Sequence, residues 1–243
     1  MFLMSLITFN INSWVALSPG LLTTEAWHSW SNSNQIWPGE LTPVPVNLIK
    51  PMMRRRMSSL SKLALQAALQ ISVDQRIDYI IFSSRHGELT RTAKLIKDIM
   101  SGEDASPTAF SQSVHNTAAG LFTIGSHRAT PVTSLSAVES SVHHALIEAA
   151  IYLQEKPTHQ VLLVDFDEPL PAPYQQYESQ PYQGYAFATL LSFGEQYQLS
   201  WSKNNLSSAD QLPQSFAIID YLLNDEKQKN IADKRLKWSW TRS

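Results

Sequence analysis

The chain has 243 residues, 43% of them hydrophobic, and no cysteine. The absent thiol excludes disulfides, thiolate-bound zinc, iron–sulfur clusters and a cysteine nucleophile. Lys and Arg number 19 against 21 Asp and Glu, so the net charge of −2 gives nucleic acid no bulk attraction. Only 16% of residues are charged, which points to a partly apolar surface suited to a partner. No signal-peptide pattern and no apolar run of ~18 residues stands out, so the expectation is a cytoplasmic protein without a transmembrane segment.

The elements follow in chain order. Leu6–Ile11 reads as a first strand, followed by a Trp-rich stretch (Trp14, Trp27, Trp30, Trp37) that Pro19, Pro38, Pro43 and Pro45 make irregular. From Ser58 to Ile71 a helix is expected, because Leu60, Leu63, Ala64, Ala67, Ala68 and Ile71 recur at helical spacing. Asp78–Ser83 is apolar on both faces, as a buried parallel strand is. Leu89–Met100 is a second amphipathic helix, and the polar, small-residue segment Ser106–Gly125 follows it. Next come a strand over Pro131–Ala137, a helix over Val138–Leu153 and a buried strand over Gln160–Phe166. A loop over 169–183, a strand over Tyr185–Phe193, an apolar run at Phe216–Leu223 and a charged tail carrying Trp238 and Trp240 complete the chain. Strands alternating with helices predict one α/β domain over 1–243, with a mixed, mainly parallel sheet flanked by helices.

Few patterns announce chemistry. The phosphate-binding glycine loops and the GxSxG elbow are absent. Neighbouring helical side chains such as His143 and His144 point about 100° apart and do not chelate one metal, so no metal site is expected. Asp165-Phe166-Asp167-Glu168 reads as an acidic loop at a strand end, and Arg54-Arg55-Arg56 as a solvated basic run. Ser140 and Ser141 lack an elbow that would make either a nucleophile. Ser136-Ala137-Val138-Glu139 has the S-x-x-E form of a capping box, which opens the helix by itself.

Several segments, taken in order, resemble the N-terminal half of β-ketoacyl synthases of the thiolase fold. Met53–Ala68 (MRRRMSSLSKLALQAA) is similar to the family's basic stretch and early Ala-rich helix, and Tyr79–Leu89 (YIIFSSRHGEL) to the strand and turn beyond it. Ser106–Gly120 (SPTAFSQSVHNTAAG) resembles a loop of the form S-P-x-x-F-x-x-S-x-x-N-x-x-x-G, the most specific match. Pro131–Ala149 resembles the strand and nucleophile helix, and Gln160–Phe193 the following strand, loop and strand. On this resemblance Glu139 occupies the place of the catalytic cysteine, or Val138 does if the alignment slips by one residue. Neither residue forms an acyl thioester, and nothing here maps onto the family's two catalytic histidines, which belong to the second half of the fold.

The resemblance therefore implies a thiolase-like N-terminal half resembling a truncated chain length factor of aryl polyene biosynthesis. Such a subunit carries no catalytic residues and no cofactor. It pairs with an active β-ketoacyl synthase and meets the acyl carrier protein only indirectly. The strand Val132, Thr133, Ser134, Leu135, Ser136 and Ala137 would pair across the dimer, and Phe110, Gln112, Val114 and His115 would face the interface or the acyl tunnel, with His143 beside them. Two other readings compete: a decarboxylation-assisting subunit using Glu139, and a homodimeric scaffold without lipid chemistry.

Overall fold

A computed structural model describes residues 5–178, 180–205 and 212–243. In chain order it places β1 (Ser5–Leu17), α1 (Thr24–Asn32), α2 (Pro51–Arg54), α3 (Ser59–Ile71), β2 (Tyr79–Ser83), α4 (Leu89–Met100), α5 (Pro107–Ser111) and α6 (Thr117–Ser126). Then follow β3 (Val132–Leu135), α7 (Ser141–Glu155), β4 (Gln160–Asp167), a 3-10 turn at Ala172–Tyr177, β5 (Tyr185–Lys203), α8 (Gln214–Leu223), β6 (Gln228–Ala232) and β7 (Leu236–Arg242).

All seven strands join one sheet, in the order β3-β2-β4-β5-β7-β6 with β1 along the other side of β5. The sheet is mixed, as expected, but its balance is not mainly parallel. Only β2–β3 and β2–β4 run parallel, whereas β1–β5, β4–β5, β5–β7 and β6–β7 are antiparallel. The antiparallel pairs centre on β5, which returns from β4 through a loop and is flanked by β1, and on β6 and β7, joined by a tight turn; neither connection is the helical crossover that parallel neighbours need.

Helices cover both faces, and β4 shows why. Val161 and Leu163 enter a cluster with α7, α8 and the α1 tryptophans, while Leu162 and Val164 enter one with α3 and α6. Each fully buried Val or Leu of this strand stabilises the fold by roughly 1.5–3 kcal/mol. Helix α3 fits closely because Ala64, Ala67 and Ala68 are completely buried and let it approach the sheet. Ser58 caps it, accepting from the Ser61 N–H at 2.9 Å.

The ends of the chain depart most from the sequence reading. The Trp-rich stretch is not irregular throughout: α1 carries Trp27 and Trp30 into the core, where both stack edge-on 5.4 Å apart beside Phe216. Strand β5 does not stop near Gly194 but runs on for ten more residues past a register shift opposite Phe9 and Asn10. A Cβ at Gly194 would lie 2.2 Å from the Asn10 side chain, so the glycine permits close approach rather than ending the strand. The charged tail is the β6–β7 hairpin, and its Trp238 and Trp240 are core residues.

Candidate functional site

The parallel strands β2, β3 and β4 end side by side, and the turns that leave them converge. Beyond β2, the Asp167 carboxylate accepts the Ser84 hydroxyl at 2.7 Å and the Arg85 N–H at 2.9 Å. One residue pair deeper, Asp165 accepts from Ser83 at 2.5 Å, Tyr185 at 2.7 Å and Ser215 at 2.6 Å. These aspartates are buried and are not the solvated acidic loop expected from DFDE. Burial raises both carboxyls, and the neighbouring Asp165 charge adds to it for Asp167, which reaches about 7. Their partners are hydroxyls and backbone N–H groups, so the pair fixes the 84–86 turn against β4 and β5.

The turn beyond β3 is the counterpart of a strand-to-helix elbow. Ala137 and Glu139 bridge across it, and Val138 at its apex has φ of 56° and is 45% exposed. A β-branched residue there is strained. Ser141 holds the turn closed: its hydroxyl accepts the Ala137 N–H at 3.0 Å and donates to the Val138 carbonyl at 2.8 Å. The expected capping box does not form. Ser136 donates instead to the Arg85 carbonyl at 3.0 Å, Glu139 pairs with the Arg85 guanidinium at 3.3 Å, and helix α7 begins only at Ser141. A tertiary partner, Arg85, has claimed both ends of the motif.

Beside Arg85 stands His86, whose imidazole burial and the Arg85 cation lower to about 4, so it is neutral. The His115 Nε2–H donates to the Ser84 carbonyl at 2.9 Å. Gly87, with φ of 55°, lets that ring lie close: a Cβ there would be 2.9 Å from His115 Cδ2.

His115, Asn116, Ala119 and Gly120 on one side, and Val132, Thr133 and Ser134 on the other, line a cavity of about 410 Å³. It lies along β3, which pairs only with β2 and so presents a free edge. Four residues singled out from the sequence, His115, Val132, Thr133 and Ser134, thus come together. Phe110 and Val114 are exposed (63% and 41%) on the same loop but do not line the cavity. Gln112 is partly buried and accepts from Arg91, while the Thr92 hydroxyl holds the Ser113 carbonyl at 2.9 Å. Leu135, Ser136 and Ala137 lead from the cavity to the Val138 turn.

His143 is not at an interface. It is fully buried, stacks on Trp238 at 4.5 Å, donates from Nδ1 to Gln214 Oε1 at 2.6 Å and accepts from the Trp240 Nε1–H at 3.0 Å. Burial, chiefly, lowers it to about 3, and a neutral ring is the only form that serves both hydrogen bonds. The sequence reading missed Arg85, Arg91, Gly120 and the Asp165–Asp167 pair. For the last, alternating acids inside an apolar strand were the available signal.

Among the described residues no cluster of three or more His, Cys, Asp or Glu could hold a metal, and no helix is long and apolar enough to cross a membrane.

None of the curated proteins matches the sequence. Among solved structures, a chain of the ketosynthase (ApeO) in complex with its chain length factor (ApeC) from Xenorhabdus doucetiae is similar, with 32% identity and a TM-score of 0.84. That similarity spans 97% of this chain and 100% of the other. The ishigamide ketosynthase/chain length factor matches over 96% of this chain and 98% of its own, at 12% identity and a TM-score of 0.75. A chain of AntDE:AntF, a type II PKS acyl-carrier protein in complex with its ketosynthase, matches over 99% of both at 11% identity and a TM-score of 0.68. The last two show the fold alone. The thiolase-like arrangement of β2, β3 and β4 around the Val138 turn is joined by a family model, beta-ketoacyl synthase, N-terminal domain, that matches residues 27–241, and it is to this family that the chain belongs.

Proposed function

We propose that the chain is a chain-length-factor-like subunit of a condensing enzyme in aryl polyene synthesis, working in the cytoplasm without a cofactor. It pairs with an active β-ketoacyl synthase, performs no condensation itself, and closes the far end of the partner's acyl tunnel. The observation that carries this reading is the cavity beside the free edge of β3. Gly120 sits inside helix α6, where glycine costs about 1 kcal/mol relative to alanine. A Cβ added there would meet nothing within 4 Å. The helix keeps space open beside the β3 edge that a partner strand would use, which favours an apolar chain end shared between two subunits.

Val138 and Glu139 support the non-catalytic part. The strained apex, the geometry that exposes a nucleophile in strand–turn–helix elbows, belongs to Val138 and carries only methyl groups. Glu139 is engaged by Arg85 and does not line the cavity, which favours a structural role over decarboxylation.

The test is co-expression with the ketosynthase of the same pathway. The expected result is a stable heterodimer, with no condensation by this chain alone on acyl and malonyl carrier-protein substrates. Gly120→Leu fills the cavity, and shorter products from an intact heterodimer are expected. Condensation by the isolated chain, or unchanged product length in a Gly120→Leu heterodimer, would overturn the reading.

A further inference from the structure

The two walls of the cavity lie far apart in the chain but share one anchor, the turn at 84–86. On the helix side, the His115 Nε2–H donates to the Ser84 carbonyl at 2.9 Å, just before α6 begins. On the strand side, the Ser84 N–H donates to the Leu135 carbonyl at 3.2 Å and the Ser136 hydroxyl to the Arg85 carbonyl at 3.0 Å. The Arg85 guanidinium adds Glu139 at 3.3 Å. Strand β3 has only four residues and one paired neighbour, so these bonds fix its far end.

One side chain holds the turn itself. Asp167 accepts the Ser84 hydroxyl at 2.7 Å, the Arg85 N–H at 2.9 Å and the His86 N–H at 3.3 Å. Three consecutive residues thus converge on a single carboxylate, and the Ser84 hydroxyl oxygen in turn accepts the Gly87 N–H at 2.7 Å. Asp167 closes β4, pairs with Tyr185 in the sheet, is 5% exposed and does not line the cavity. Asp165 makes the contrast. Its donors Ser83, Tyr185 and Ser215 belong to β2, β5 and α8, and none of them lines the cavity.

We propose that Asp167 is a positioning residue for the cavity: acting through the 84–86 turn, it sets the separation of the His115 wall from the β3 wall. The inference rests on the function proposed above. It makes the length that the heterodimer permits depend on a carboxylate the acyl chain never touches. A carboxylate offers acceptor oxygens to all three donors, whereas a carboxamide turns an NH2 group toward one or more of them. With the anchor lost, each wall moves on its own, and a site held less tightly than about 0.5 Å discriminates poorly between ligands.

The experiment compares wild type, Asp167→Asn and Asp165→Asn in the heterodimer with the ketosynthase of the same pathway, by amide exchange and by product length. In Asp167→Asn, exchange over 84–87, 113–120 and 132–137 should speed together by about tenfold, and products should spread to shorter and longer chains. In Asp165→Asn, faster exchange is expected over 214–223, with product lengths as in wild type. Wild-type exchange at either wall of Asp167→Asn, unchanged product lengths there, or an equal spread in Asp165→Asn would overturn the inference while leaving the heterodimer reading intact. Where Asp167→Asn does not assemble, Ser136→Ala decides, since this exposed residue ties only the strand wall. Its exchange should speed over 132–137 and stay at the wild-type rate over 113–120, and no change over 132–137 would overturn the inference. Failure of the wild-type chain to co-purify would instead strike the proposed function itself.

Discussion

Val138 occupies a backbone conformation that a β-branched side chain adopts at a cost of about 1–3 kcal/mol, and the Ser141 hydroxyl holds it there. Because the chain has no cysteine, a thiol placed in this turn would be the only one in the molecule. Val138→Cys is expected to react with iodoacetamide faster than Glu139→Cys. The former lies at the exposed apex before α7, whose N-terminal partial charge lowers a thiol's pKa. Equal rates, or a faster Glu139→Cys, would assign the nucleophile's position to 139. His143 makes a different prediction. Its folded pKa of about 3 lies below the ordinary value near 6.5, so between these the unfolded chain binds a proton that the native one refuses. Its stability contribution is present above pH ~6.5 and falls by up to about 1.4 kcal/mol per pH unit on acidification. Asp167, raised to about 7, acts in the opposite sense, and its contribution is lost as pH rises through that value. Urea unfolding of His143→Gln should therefore show a shallower loss below pH 6.5 than wild type. An unchanged slope would contradict the buried neutral ring.

At the scale of elements, the hairpin is joined to α7 through Asp233 and Ser140. Asp233→Ala leaves the Ser140 hydroxyl and two backbone N–H groups without their acceptor, and should lower stability by about 2–4 kcal/mol in chemical denaturation. A loss below ~0.5 kcal/mol would mean that the latch adds nothing. Arg91 is expected to act on a loop as well. Its guanidinium bridges Gln112, the Arg56 carbonyl and the buried Glu88 carboxylate at 3.5 Å, so Arg91→Ala should speed amide exchange over 106–116 and also lower global stability, because Glu88 loses its cation. Sequence alone located some of these elements well. The α3 and α4 periodicities set both helices to within a residue, and the apolar runs of β2 and β4 marked buried strands. What it could not show were partners distant along the chain. Nothing in SAVE reveals that Arg85 will take Ser136 and Glu139, and nothing in Gly194 shows Asn10 lying against it. The charged tail was legible in principle: Leu236, Trp238 and Trp240 alternate with Lys237, Ser239 and Thr241 at the period of a strand. Its lysines and arginines mask that alternation in composition.

Across the whole molecule, two apolar clusters fill the faces of one sheet, while Ile96, Ile99, Met100, Phe110 and Val132 keep large apolar surface in solvent. Exposure on this scale predicts that the isolated chain self-associates, and that the ketosynthase suppresses this. Light scattering with and without the partner checks it, and a monodisperse monomer alone would count against an obligate partner. The family and the thiolase-like half-fold were legible from ordered motifs, but the β6–β7 hairpin was not, since the resemblance ends at Phe193. Strand β5 has the last consequence. Its nineteen residues pair first with β4 and then with β7, and β1 follows it along both stretches. One continuous girder thus ties the parallel end of the sheet to the hairpin end, and the two cannot hinge against each other without tearing its ladder. Whatever meets the free edge of β3 meets a stiff wall, one that selects by its shape rather than by yielding.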